Sequence, residues 1–149
     1  MNTWVIVADG SHARVFERSR LQPLTELQAF VHPQSRQSNI DSSDEYGRKF
    51  VDSRERQFIE TKVTPLEREE RLFARELGRF LDGAEAEHRF DELVLVAPPA
   101  FLGALRDEIE PRTRRHVTCT VNKDFTQLDQ RDLARSLKDH IRPSVNELR

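Results

Sequence analysis

Two short runs restrict what this chain can fold into. Trp4-Val5-Ile6-Val7-Ala8 and Leu93-Val94-Leu95-Val96-Ala97 are each apolar at every position and rich in β-branched residues. A strand with no polar side has both faces covered, so both runs belong at the centre of a sheet with a layer on either side. The longest helical pattern in the chain lies between them. Two doubly buried strands separated by a helix predict a parallel pair joined by a crossover.

The remaining segments arrange themselves around that pair. Asp9-Gly10-Ser11 predicts a hairpin turn, with Gly10 accepting a positive φ. Residues 12–18 alternate, Ala13, Val15 and Glu17 against Arg14, Phe16 and Arg18. Gln22-Pro23 turns the chain again, and residues 24–31 alternate less cleanly through Leu24, Leu27, Phe30 and Val31. These three strands form an antiparallel meander. Thr64-Pro65 opens a helix, with Thr64 as N-cap, Pro65 in the first position and Glu67 in capping-box position. Leu66, Phe73, Leu77, Phe80, Leu81 and Ala84 form its apolar stripe, which ends near Glu87. Arg68, Glu69, Arg71, Arg75, Glu76 and Arg79 on the opposite side read as a solvated, salt-bridged face.

Pro98-Pro99 ends the second apolar run and starts a helix through Ile109, which Pro111 stops. The basic run 112–116 reads as a solvated loop, with contact to nucleic acid as the alternative. Val117, Cys119 and Val121 alternate onto one face of a last strand, where Cys119 is a packing residue. Asp129 or Thr126 caps a final helix carrying Leu133, Leu137 and Ile141 inward, and Pro143 ends it. The expectation is one α/β domain over residues 1–149. Its architecture is a ribonuclease H-like mixed sheet, three antiparallel strands followed by two parallel strands with right-handed crossover helices, and a long loop before the first helix.

Composition narrows the function classes. An apolar content of 36% beside a charged content of 34% describes a soluble domain with a heavily charged surface. The net charge of -2 rules out a global basic field for nucleic acid and leaves only local patches. Cys119 is the single cysteine, so no intramolecular disulfide and no Cys-rich metal site can form. His12, His32, His88, His116 and His140 show no metal-ligand spacing. The apolar run 4–8 is too short for a signal peptide or a membrane span, and a cytoplasmic protein is expected.

Ligands of open α/β sheets favour the carboxyl ends of the parallel strands. Here those ends make a candidate cleft of Asp9, Arg14, Pro98, Pro99, Lys123 and Asp124. A two-metal nuclease needs three or four converging carboxylates. Asp9 and Asp124 can meet, but Asp91 and Glu92 stand at the start of their strand, the wrong end. Asp9 is better read as a hairpin residue and Asp124 as a loop or capping residue. Ser11 and Ser35 have no nucleophile elbow, and Gly10 belongs to no phosphate-binding Gly-rich loop. No catalytic residue, metal or cofactor is expected.

The second candidate is the connection 32–64, HPQSRQSNIDSSDEYGRKFVDSRERQFIETKVT. A compact domain seldom carries so long a connection unless it works as a binding loop or stays disordered. Ile40, Tyr46, Phe50, Val51, Phe58, Ile59 and Val63 are too few to offset the entropy of ordering it, so mobility is expected. Residues 50–63 suit a strand or a short helix. Inside the connection, Asp44-Glu45-Tyr46-Gly47-Arg48-Lys49-Phe50 combines a permissive Gly47 with two cations and two rings. Arg48 and Lys49, together with Arg36, suit phosphate or carboxylate, and Tyr46 or Phe50 can stack on a base. An ordinary turn is the equal alternative.

Several of these pieces carry a resemblance. Residues 4–10 with Ala13, Arg14 and Phe16 come first, then 44–50, then Phe73-Ala74-Arg75-Glu76-Leu77. Residues 93–99 with Phe101-Leu102-Gly103 follow, and Lys123-Asp124-Phe125-Thr126 closes the set. Together, over nearly the whole chain, this ordered set resembles the bacterial host attachment protein family. The family is similar to the middle domain of archaeo-eukaryotic peptide release factors and of Pelota. In release factors a loop ahead of the long helix carries Gly-Gly-Gln into the peptidyl-transferase centre. The connection 32–64 stands in that place without Gly-Gly-Gln, so peptidyl-tRNA hydrolysis does not carry over. What the resemblance does imply is a non-enzymatic contact with the ribosome or RNA through the connection. The alternative is a protein–protein interaction factor acting indirectly in attachment to host cells.

Overall fold

The computed structural model describes residues 1–32 and 64–141. Its elements are β1 (Thr3–Ala8), β2 (His12–Arg18), β3 (Thr25–Val31), α1 (Pro65–Ala86), β4 (Glu92–Val96), α2 (Pro99–Glu108), α3 (Pro111–Arg114), β5 (Val117–Val121) and α4 (Gln130–Lys138). The strands form one mixed sheet in the order β3-β2-β1-β4-β5. β2 runs antiparallel to both β1 and β3, while β4 is parallel to β1 and β5 parallel to β4. The expected α/β class and the meander-then-parallel order are therefore as built. The connection 32–64 lies almost wholly outside the described residues.

All six residues of β1 are buried. Trp4, Ile6 and Ala8 point into a core shared with Phe73, Leu77 and Leu81 of α1 and with Phe101, Leu102 and Leu105 of α2. Val5 and Val7 point the other way, onto Phe16, Leu24, Val94, Val96 and the α4 residues Leu133 and Leu137. The result is three layers, α1 and α2 on one face and α4 on the other. Trp4 closes the first core. Its ring lies 5.9 Å from Phe80 and 5.2 Å from Phe90. Its indole N–H donates to Glu17 Oε2 at 3.1 Å, and the Arg89 guanidinium sits 5.0 Å over the ring. α1 and α2 approach closely at Gly78, where a Cβ would stand 3.2 Å from the Glu108 carbonyl oxygen.

Three local expectations are corrected. Gly10 has no positive φ. The turn is made instead by the Asp9 carboxylate, whose Oδ1 accepts from Ser11 N at 2.8 Å and His12 N at 2.6 Å. Val117 does not share a face with Cys119 and Val121. The register shifts between Leu93 and Val94, so Val117 pairs Leu93 on the α1 side while Cys119 pairs Val94 on the α4 side. Finally, the basic run 112–116 is no solvated loop, because Pro111 starts the helical turn α3. Arg114 donates to the carbonyls of Arg106 and Ile109 at 3.0 and 3.1 Å. His116 Nδ1 lies 2.8 Å from the Asp91 carbonyl, and Arg112 Nε lies 3.0 Å from Glu85 Oε2.

The helix ends follow their sequence signals. Thr64 Oγ1 accepts from Glu67 N at 3.1 Å, and of the two proposed caps for α4, Asp129 is the one used, accepting from Asp132 N at 2.8 Å. The far end of α1 closes by a Schellman motif: His88 N donates to Glu85 O at 2.9 Å and Arg89 N to Ala84 O at 3.0 Å. The motif needs a left-handed residue, and His88 supplies it at φ 58°. That conformation costs a side-chain-bearing residue ~1–2 kcal/mol, partly returned by the lower entropy of its unfolded state. His88→Gly should therefore stabilise the fold by about 1 kcal/mol, seen as a rise of a few degrees in Tm, while His88→Val should lower Tm.

Candidate functional site

The carboxyl ends of β1 and β4 and the loop after β5 meet as expected, and Asp9 is the centre of what they build. Its Oδ1 holds the β1–β2 turn, and its Oδ2 accepts from the Thr126 hydroxyl at 3.2 Å. Thr126 is buried, and its hydroxyl also lies 2.5 Å from Asp124 Oδ1, which takes the Thr126 N–H at 3.0 Å. Asp9 and Asp124 are thus bridged through one hydroxyl. Arg14, expected as a cleft cation, is occupied elsewhere: its Nη1 donates to Leu128 O at 2.6 Å, its Nε to Glu26 Oε1 at 3.2 Å, and it lies 4.8 Å over Phe16. It ties β2 to the loop before α4. Pro98 and Pro99 open α2, with Leu102 N donating to Pro98 O at 2.9 Å. Lys123 is exposed.

Glu70, which the sequence reading left out of the cleft, reaches into it from α1. Its carboxylate lies over Gly10, where any Cβ would collide with it. Glycine leaves room for this close approach without a special φ, and a larger residue there would have to displace the Glu70 side chain. Partial burial raises the Glu70 pKa, and the neighbouring charges of Glu67 and Asp9 raise it further. A signal for Glu70 was present: it stands three, four and seven residues before Phe73, Ala74 and Leu77, on the buried stripe of α1.

His32 is the second missed residue. Its backbone N–H donates to Ser11 O at 2.8 Å. Its Nε2 lies 2.9 Å from Glu69 Oε2, and its ring stacks 5.5 Å from Phe73. His32 fastens the end of β3 to the first half of α1. Thr64 caps the start of the same helix, whose first turns hold Glu67 and Glu70 beside Asp9. Both described ends of the segment 33–63 therefore lie at this end of the sheet. The binding residues proposed within it, Arg36, Asp44, Tyr46, Gly47, Arg48, Lys49 and Phe50, lie outside the described residues.

The chemistry available follows from these distances. Ser11, His12 and Asp9 are close, yet Ser11 Oγ and Asp9 Oδ1 meet the same ring nitrogen, His12 Nδ1, at 3.0 and 3.5 Å. A hydrolytic triad needs the base between nucleophile and acid through opposite nitrogens, so this grouping is a turn and not a relay. Among the described residues, no group of three or more His, Cys, Asp or Glu is placed to hold a metal ion. Asp91 and Glu92 stay at the opposite end, with Asn2 N on Asp91 Oδ2 at 2.8 Å and Thr3 Oγ1 on Glu92 Oε2 at 3.2 Å. The cleft is acidic and suited to repelling anions.

A carboxyl whose pKa is raised by folding binds its proton more tightly in the native state. That makes the native state lose stability as pH rises from the ordinary carboxylate range towards neutrality. Glu70→Gln should therefore be more stable than wild type at pH 7, with the two proteins converging below pH ~4, where the carboxyl is protonated in both states. Thermal unfolding of both proteins across this pH range checks it.

Among the described residues, no helix is long and apolar enough to cross a membrane. No curated protein matches the chain closely enough to count as a relative. A family model described as a protein required for attachment to host cells matches residues 4–137, from the first residues of β1 to the last turn of α4. It covers most of the chain, so the chain belongs to the host attachment protein family.

Proposed function

We propose that this host attachment family protein is a non-enzymatic, translation-associated domain of the cytoplasm that binds the ribosome or RNA through the 32–64 connection. One observation carries the choice of contact: both described ends of the segment 33–63 are fastened at a sheet end that is itself acidic. Asp9, Glu67, Glu70 and Asp124 line that end, and Arg14 is consumed by backbone carbonyls. A phosphate-rich partner is repelled by such a surface and needs cations supplied from elsewhere. Arg36, Arg48 and Lys49 supply them on the connection, with Tyr46 and Phe50 as stacking rings and Gly47 between.

The choice of partner rests on the resemblance to the release-factor middle domain. The ribonuclease H-like reading of the mixed sheet agrees with it, as does the place of the connection ahead of the long helix. The same connection lacks Gly-Gly-Gln, which argues for binding without peptidyl-tRNA hydrolysis. The family description favours a second reading, a protein–protein interaction factor with an indirect role in attachment to host cells.

Sedimentation of cell lysate separates these readings. Tagged protein should travel with ribosomes, weakening as salt is raised and falling several-fold in Arg48→Ala/Lys49→Ala. Protein that stays at the top of the gradient during both growth and starvation, and that captures other proteins without ribosomal enrichment, would support the second reading instead. Pure protein incubated with RNA and magnesium or manganese should leave the RNA intact.

A further inference from the structure

The arginines of this fold are used in different ways. Arg14, Arg89, Arg112 and Arg114 are spent on the fold itself, against carbonyls, carboxylates or the Trp4 ring. Arg68, Arg71, Arg75 and Arg79 are not. All four are exposed, and they follow one another at spacings of three, four and four residues along α1. At ~100° and ~1.5 Å per residue they form a single row about three turns long. The row faces away from Phe73, Leu77 and Leu81. Among the described residues the side chains of Arg68, Arg71 and Arg79 make no hydrogen bond or ion pair, and Arg75 makes one half-exposed contact with Glu108 at 3.5 Å.

Glu67 flanks the start of this row, while most other acids of α1 are engaged elsewhere. Glu69 and Glu76 turn towards His32, and Glu70 towards Gly10. Asp82, at the far end, is engaged by Thr113 Oγ1 at 2.5 Å and Glu110 N at 3.1 Å. Asp82, three residues after Arg79, is thus taken up by Thr113 and Glu110, and the row keeps its positive character although the chain as a whole is slightly acidic. Guanidinium groups repeating once per turn suit a ligand whose negative charges also repeat at regular steps, and their planar fork matches phosphate oxygens.

We infer that the outer face of α1 is a binding surface for the sugar–phosphate backbone of RNA, held by Arg68, Arg71, Arg75 and Arg79. The inference rests on the proposed function for the choice of RNA, and it adds a second contact surface separate from the 32–64 connection. Exposed Leu72 lies beside the row and gives a bound sugar or base an apolar neighbour.

Fluorescence anisotropy with a labelled single-stranded RNA tests it in four proteins: wild type, Arg68→Gln/Arg71→Gln/Arg79→Gln, the connection variant Arg48→Ala/Lys49→Ala, and a control that removes the same charge from α4, Arg131→Gln/Arg135→Gln/Lys138→Gln. The helix-row variant should bind at least tenfold more weakly than wild type. Its slope of log affinity against log salt should flatten by about 2, at ~0.7 per lost phosphate contact on a single strand. The α4 control should stay close to wild type. Equal loss in the helix-row and α4 variants would overturn the inference, since net charge alone would then explain the effect. Loss in the connection variant with full binding by the helix-row variant would overturn it while leaving the proposed function standing. Loss in the helix-row variant with full binding by the connection variant would support the row and remove the connection as the contact. No binding by wild type would overturn both. Circular dichroism should show the same helix content in all four proteins.

Discussion

Strand β1 has no side that faces water. Each of its six residues is buried, and it is paired on both edges, antiparallel to β2 and parallel to β4. A strand in that position needs apolar cover above and below, and a parallel neighbour can be reached only by a crossover. Those two requirements account for most of the architecture. α1 and α2 cover Trp4, Ile6 and Ala8, while α4 covers Val5 and Val7. At roughly 1.5–3 kcal/mol for each large apolar side chain, the buried residues of β1 and β4 contribute a large share of the burial energy, beside those of α1 and α2. The outer strands contribute less: six of the seven residues of β3 are exposed.

The same arrangement sorts the charges. Polar groups are excluded from β1 along its length and reappear at its ends, where the backbone leaves the sheet. At the carboxyl end Asp9 becomes a hub, taking two backbone N–H groups of its own turn and the hydroxyl of Thr126. Carboxylates satisfied in this way fix the geometry of the strand ends. Glu70 leans on the same spot at an electrostatic cost, which its raised pKa records. Arg68, Arg71, Arg75 and Arg79 stand on the outer face of α1, away from its buried stripe.

The sequence was most legible where one element decided its own environment. The doubly apolar runs, the alternating meander, the Thr64-Pro65 start and the Asp129 cap are all local signals, and each stands where the pattern put it. Legibility failed where the deciding partner was distant in the chain. Gly10 reads as a φ residue until Glu70, sixty positions away, is found above it. Val117 reads as a partner of Cys119 until the register shift against β4 turns it to the other face. Arg14 and the run 112–116 read as free cations because the carbonyls and carboxylates that occupy them belong to other elements. In the candidate cleft the sequence brings Asp9 and Asp124 to neighbouring strand ends, while Thr126, the hydroxyl that joins them, reads only as an alternative cap.

The position of the segment 33–63 is consistent with the constraint on β1. An interruption inside the β1–β2 hairpin or between β4 and β5 would separate partners whose pairing covers the core. Between β3 and α1 it separates an exposed edge strand from a helix that packs on a different part of the sheet. Two local devices make that junction definite. His32 joins the last residues of β3 to Ser11, Glu69 and Phe73, and Thr64 caps the first turn of α1. With both junctions fixed, the cost of extending a connection grows only slowly with its length, so its sequence is released from the demands of the core. A surface composed for a partner can accumulate there, and on the outer face of the helix that follows it, without disturbing the buried strand on which the fold depends.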